Sequence, residues 1–93
     1  MTGFEILIRI HPEKRAEFLL AYEMLKSNDQ QDKDRLELEL FEQVIEPNTF
    51  LWFERWTSDE SLSRYTADNR YRAMMGAIDA LGQLLYKREV SIQ

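Results

Sequence analysis

The residues best placed to do chemistry stand on one short segment, Phe50-Leu51-Trp52-Phe53-Glu54-Arg55-Trp56. Side chains alternate across an extended strand, so Phe50, Trp52, Glu54 and Trp56 share one face while Leu51, Phe53 and Arg55 share the other. A carboxylate between two indoles suggests an aromatic-walled pocket that stacks a planar substrate, with Glu54 as hydrogen-bond acceptor or base. Apolar surroundings raise a carboxyl pKa toward the range useful for proton transfer. The plainer reading has the same residues filling a subunit interface, with Glu54 paired to Arg9, Arg55 or Arg88; structural ion pairs perturb pKa values too. Tyr65 offers a donor to a phenolic substrate, or a hydroxyl kept in water at the edge of the core. The expected pocket set is Phe50, Trp52, Glu54, Trp56, Tyr65 and Arg9, with Glu54 and Tyr65 as the catalytic candidates.

Other chemistries have little to stand on. His11 is the only histidine and there is no cysteine, so a zinc site would need several carboxylates. Asp29, Asp32 and Asp34 lie close together but lack the Gly and terminal Glu of a calcium loop. His11, before Pro12 at a strand end, reads as a loop residue rather than a proton shuttle. Met74-Met75 reads as core filler. No Gly-rich phosphate loop or nucleophile elbow occurs. The expectation is therefore no metal and no cofactor.

The elements that must position the site follow from periodicity. Phe4–Ile10 alternates as a strand, and Pro12 suits the first turn of a helix whose stripe is Phe18, Ala21, Tyr22 and Leu25. Residues 27–35 contain no apolar side chain. Leu36–Ile45 reads as a second strand with Leu36, Leu38 and Leu40 on one face, Glu46-Pro47-Asn48-Thr49 as a turn, and Phe50–Trp56 as its partner. Thr57-Ser58-Asp59-Glu60 is a helix start, in which Thr57 with Glu60 is the better capping box and Ser58 with Ser61 the other. A short helix runs to about Tyr65. Asn69 starts a longer one with Tyr71, Met74, Met75, Ile78, Leu81 and Leu85 on its apolar face, where Gly76 and Gly82 suggest close packing. Tyr86–Ile92 is the last strand.

This order is the ferredoxin-like α+β arrangement, βαββαβ, with both helices on one face of an antiparallel sheet. The 93 residues fit one domain, 1–93, with room for one core. The hairpin looks apolar on both faces. The face left open is expected to carry Trp and Phe, and a two-fold homodimer packed sheet against sheet would cover it around a small cavity. A net charge of -5 argues against nucleic acid. No apolar run approaches the ~20 residues that span a bilayer, and no signal peptide is evident before the first strand. A cytoplasmic protein is expected.

The central hairpin also resembles a known family. Leu40-Phe41-Glu42-Gln43-Val44, Pro47, Phe50, Glu54, Trp56, Ser58, Glu60 and Leu62 are similar to the antibiotic biosynthesis monooxygenase domain, of the dimeric α+β barrel superfamily. The resemblance implies a homodimer, a ligand pocket in each subunit, and cofactor-independent oxidation of a quinol or related small aromatic. It places Trp56 on the pocket wall. Trp52, Leu62 and Tyr65 stand where relatives keep Asn, Tyr and His, so a non-catalytic ligand-binding or dimerisation module on the same fold is the alternative.

Overall fold

The computed structural model of the chain describes residues 2–27 and 32–91. Strand β1 (Thr2–Ile10) leads through a 3-10 turn, Pro12–Lys14, into helix α1 (Arg15–Ser27). Then follow β2 (Arg35–Glu42), β3 (Thr49–Trp56), α2 (Asp59–Thr66), α3 (Asn69–Leu81) and β4 (Gly82–Ser91). The strands form one sheet in the order β2-β3-β1-β4, every neighbouring pair antiparallel. This is the ferredoxin-like α+β fold that the element order predicts. Asp29 and Ile92, read above from sequence, lie outside the described residues.

Alternation decides which side of the sheet becomes the core. Phe4, Ile6, Ile8 and Ile10 of β1 lie beside Glu54, Trp52 and Phe50 of β3 on the inner face, all of them buried. The helices cover that face: Phe18 of α1 packs on Phe50 with ring centroids 5.1 Å apart, and Tyr65 of α2 stacks on Trp56 at 4.6 Å. Ile78 and Leu81 of α3 complete the cluster. This corrects the expectation that the open face carries tryptophan, since both indoles face the helices. Apolar area is buried where the larger side chains are, and the Trp–Phe face is the larger one.

The outer face is left with a different set. Pairing of Phe41 with Leu51, Leu51 with Leu7 and Leu7 with Tyr86 makes an apolar row across all four strands. Phe41 and Tyr86 are exposed, and charged pairs flank the row, Arg88 with Glu5 and Arg55 with Glu37.

Four further expectations change. The pairing of β2 with β3 shifts between Arg35 and Glu37, so Leu36 is an inserted residue. It is exposed, and Arg35 turns inward in its place. β2 ends at Glu42 rather than Ile45, leaving Val44 and Ile45 in solvent. Here the Glu42 carboxylate accepts from the Asn48 backbone N–H at 2.8 Å and from Arg15 Nη2 at 2.7 Å, folding the turn back on the strand. Asn48 takes a left-handed φ of 66°, which Asn tolerates better than most residues. The α2 cap is the reciprocal Ser58–Ser61 pair, not Thr57 with Glu60.

The fourth change concerns the last helix and strand. α3 stops at Leu81 and β4 begins at Gly82 rather than Tyr86. A Cβ on Gly82 would sit 2.1 Å from the Arg9 carbonyl oxygen, so the ladder to β1 requires glycine there. Gly76 has nothing within 4 Å of its missing Cβ and is exposed, so the close packing expected there is absent.

Two outcomes follow from this packing. Gly76→Ala removes an unfavourable helix residue and is expected to stabilise by about 1 kcal/mol. Gly82→Ala must push β1 and β4 apart and is expected to lower the thermal midpoint; a neutral or stabilising result in thermal unfolding would contradict the packing. Arg15 and the Asn48 amide hold the Glu42 carboxyl down from 4.5 to about 2. A depressed carboxyl stabilises the fold above its ordinary pKa and loses that contribution as pH falls from about 4.5 toward 2. Wild type should therefore lose more stability than Glu42→Gln across that window, and parallel pH profiles would sink the assignment.

Candidate functional site

At the centre of the inner face is a carboxylate with hydrogen-bond donors on both oxygens. Glu54 is fully buried. Its Oε1 accepts from Arg35 Nη1 at 3.1 Å and Trp56 Nε1 at 3.2 Å. Its Oε2 accepts from Trp52 Nε1 at 2.8 Å, and the Tyr65 hydroxyl donates to it at 3.5 Å. Strand period places Trp52, Glu54 and Trp56 on one face, and the slip at Leu36 brings Arg35 opposite Trp56. Burial is the largest influence and pushes the Glu54 carboxyl up, while the Trp52 N–H and the Arg35 charge oppose it. Arg and Trp can only donate, so the geometry matches the ionised, acceptor-only form. The guanidinium of Arg35 also lies 5.7 Å over each of the Trp56 and Tyr65 rings. Burial, with the charge of Glu54, pushes the Tyr65 phenol up, so it stays a donor and not a base.

Two cavities flank this cluster. The larger, about 340 Å³, opens between α1 and α3. Trp52 forms part of its lining from β3, Phe18, Tyr22 and Leu25 line it from α1, and Met74, Ile78 and Leu81 from α3. Ala21, Ala73 and Ala77 also line it, and all three are exposed, so small residues keep the two helices from closing over the space. Tyr22 meets Trp52 edge-on at 5.3 Å. Arg70 is the one charged residue of this lining among the described residues. The second cavity, about 230 Å³, is polar and is lined by Asp32, Asp34, Ser61, Arg64 and Asp68 beside Trp56, Tyr65 and Arg70.

The residues singled out from sequence are thus divided. Trp52 lines the apolar cavity, while Trp56 and Tyr65 line the polar one. Glu54 lies between them and borders neither. Phe50 is buried beneath Phe18, with the Arg15 guanidinium 5.4 Å above its ring. Arg9 is exposed and one step out of phase with the inner residues of β1, so it shares no face with Glu54. The partner of Glu54 is Arg35 rather than Arg9, Arg55 or Arg88. His11 lies exposed in the loop after β1. Sequence reasoning missed Arg35 and Arg70. Nothing in the alternation signals the slip that turns Arg35 inward, and Arg70 sits in the first turn of α3, outside its apolar stripe. The cavity walls of α1 and α3 were legible only as helix stripes.

An antiparallel sheet with one aromatic face roofed by helices defines a ferredoxin-like α+β domain. The family model for antibiotic biosynthesis monooxygenases matches residues 1–77, and the chain belongs to that family. A Bacillus subtilis (strain 168) protein named "Putative monooxygenase YcnE" is 32% identical over 62 residues, 67% of this chain. The match spans 65% of that relative's own length. Among solved structures, a conserved protein from Methanosarcina mazei Go1 superposes with a TM-score of 0.84 at 12% identity, over 99% of this chain and 92% of that one. SnoaB, a cofactor-independent oxygenase from Streptomyces nogalater, gives 0.81 at 15% identity over 99% and 92%. At these identities the superpositions establish the fold alone.

Removing the Glu54 carboxylate takes an ionic partner from a buried guanidinium and the acceptor from two indole N–H groups at once. Glu54→Ala is expected to cost on the order of 3–5 kcal/mol in urea unfolding. In a double-mutant cycle, Arg35→Met with Glu54→Leu should cost less than the two single changes summed. Additive costs would mean that the two side chains do not act as a pair.

Proposed function

We propose that the chain is a cofactor-independent monooxygenase acting on a quinol or related small aromatic, bound in the cavity between α1, α3 and β3. The observation that carries this reading is that aromatic-walled cavity, in a chain of the monooxygenase family. A planar ring fits against Phe18, Tyr22 and Trp52, and the apolar walls exclude water from it. An electron-rich phenolate supplies its own electrons. It passes one to oxygen, the resulting pair combines as a carbon-bound hydroperoxide, and loss of water leaves the quinone. The sum is phenol plus O₂ giving quinone plus water. Among the described residues no carboxylate lines the cavity, so the phenol enters ionised or gives its proton to water at the open mouth. Glu54 acts as a positioning residue that fixes both indoles, and Tyr65 supports Trp56.

The functional unit in this proposal is a homodimer, the partner subunit packing on the outer face to form a dimeric α+β barrel. The apolar row Phe41–Leu51–Leu7–Tyr86 supports it, since a face of this kind is stable when a second copy covers it. A chain without cysteine suits a reducing, cytoplasmic setting. A second reading, a non-catalytic ligand-binding module, draws support from Glu54, whose oxygens are both engaged by donors of the protein itself.

Oxygen consumption with a panel of hydroquinones and naphthols separates the two readings. The enzyme reading expects consumption above the buffer blank, reduced at least about tenfold by Ala77→Phe, which fills the cavity from an exposed helix position. No consumption, with tryptophan emission still quenched by the same compounds, would leave the binding module standing. Light scattering at micromolar concentration is expected to give about twice 11.2 kDa; a mass near 11.2 kDa would overturn the dimer.

A further inference from the structure

We infer that Arg70 makes this cavity selective for planar aromatics that carry an ionised oxygen, so that an anion rather than its neutral isostere is the ligand. The inference rests on the cavity being the aromatic site proposed above and adds the charge state of its occupant. Among the described residues Arg70 is the one charged member of an otherwise apolar lining, and it lines the polar cavity as well. On the polar side its Nη2 donates to Asp32 Oδ2 at 3.2 Å and to Asp68 Oδ2 at 3.4 Å. The guanidinium lies 5.8 Å over the Tyr65 ring. The two carboxylates and the ring fix the side chain in place from one side, and among the described residues the carboxylates engage a single nitrogen of the three. A guanidinium carries five N–H donors in a planar fork, so donors remain for an oxygen arriving from the cavity.

The energetics favour an anion. A neutral ring entering the cavity strips water from the open side of Arg70 and returns nothing to its donors. A phenolate, an acidic hydroxyquinone or an aryl carboxylate restores those bonds in charge-assisted form. The preference must be local, because a chain of net charge -5 repels anions in general. A cation at the ring's edge also favours the ionised form of a bound phenol. The site can therefore hold a phenolate although no base lines the cavity among the described residues.

Isosteric pairs test this, with binding followed by quenching of tryptophan emission. The pairs are 2-naphthoate against 2-naphthamide, and 2-hydroxy-1,4-naphthoquinone against 2-methoxy-1,4-naphthoquinone, at a pH where the first of each is ionised. Wild type is expected to bind each anion roughly tenfold more tightly than its neutral partner, the scale of one hydrogen bond to a charged group. Arg70→Met should bring the ratio to near one with the neutral compound bound as before, and Arg70→Lys should keep part of it. Preference for the carboxylate alone would name aryl acids as the ligand class, and preference for the hydroxyquinone alone would name acidic phenols. Equal wild-type binding within either pair, with no preference in the other, overturns the role of Arg70 even if the variants do not fold. Binding of neither member of either pair overturns the cavity itself as an aromatic site.

Discussion

One buried carboxylate organises the inner face of this sheet. Glu54 has no contact with water, and an ionised group in that position is tolerable only when donors replace its hydration. Arg35, Trp52, Trp56 and Tyr65 supply them, and each comes with a bulky aromatic or a long side chain that must then lie where Glu54 holds it. The indoles are consequently fixed at both ends, by burial of their rings and by their N–H groups. Trp52 has little freedom to follow a ligand, and the cavity keeps its shape when empty. A cavity held this way is formed in advance and needs no rearrangement of its aromatic wall.

The cavity exists because two helices that share the sheet do not meet closely. Phe18 and Tyr22 hold α1 away from the sheet, Ile78 and Leu81 anchor α3, and alanines stand where the helices face one another. Larger residues at positions 21, 73 and 77 would fill the gap and turn the site into ordinary core. Small side chains facing each other across a groove are here a means of making space, whereas in a packed bundle they bring helices together. The polar cavity differs in kind. It lies where the segment entering β2 passes α2 and the start of α3, and its acids and arginines largely neutralise one another.

Much of the fold was legible in the sequence because alternation and helical spacing are local. Phe4–Ile10 and Phe50–Trp56 declare their inner and outer faces without reference to the rest of the chain. What alternation cannot tell is which face the helices cover, for that depends on which buries more, and here it is the face with both indoles. The boundaries that moved have long-range causes. Glu42 ends its strand because Arg15 and Asn48 fold the turn onto it, and Gly82 starts one because Arg9 lies against it. The site was legible by composition but not by grouping. Trp52, Glu54 and Trp56 were found together on their face, yet the cation that neutralises Glu54 sits beyond a slip in the strand, and the cation that borders the cavity sits on a helix turn with no apolar signature.

The slip at Leu36 carries a consequence for recombining this chain with its relatives. It divides β2 into two segments of opposite phase, so an equivalent position before it and after it points to opposite sides of the sheet. A crossover between homologous chains is silent only if both parents carry the slip or if the junction leaves residues 35–37 with their own β3. A graft that straightens the strand delivers a leucine, not a guanidinium, to the carboxylate of Glu54. The length of a segment, and not its similarity, then decides whether a chimera of this family folds.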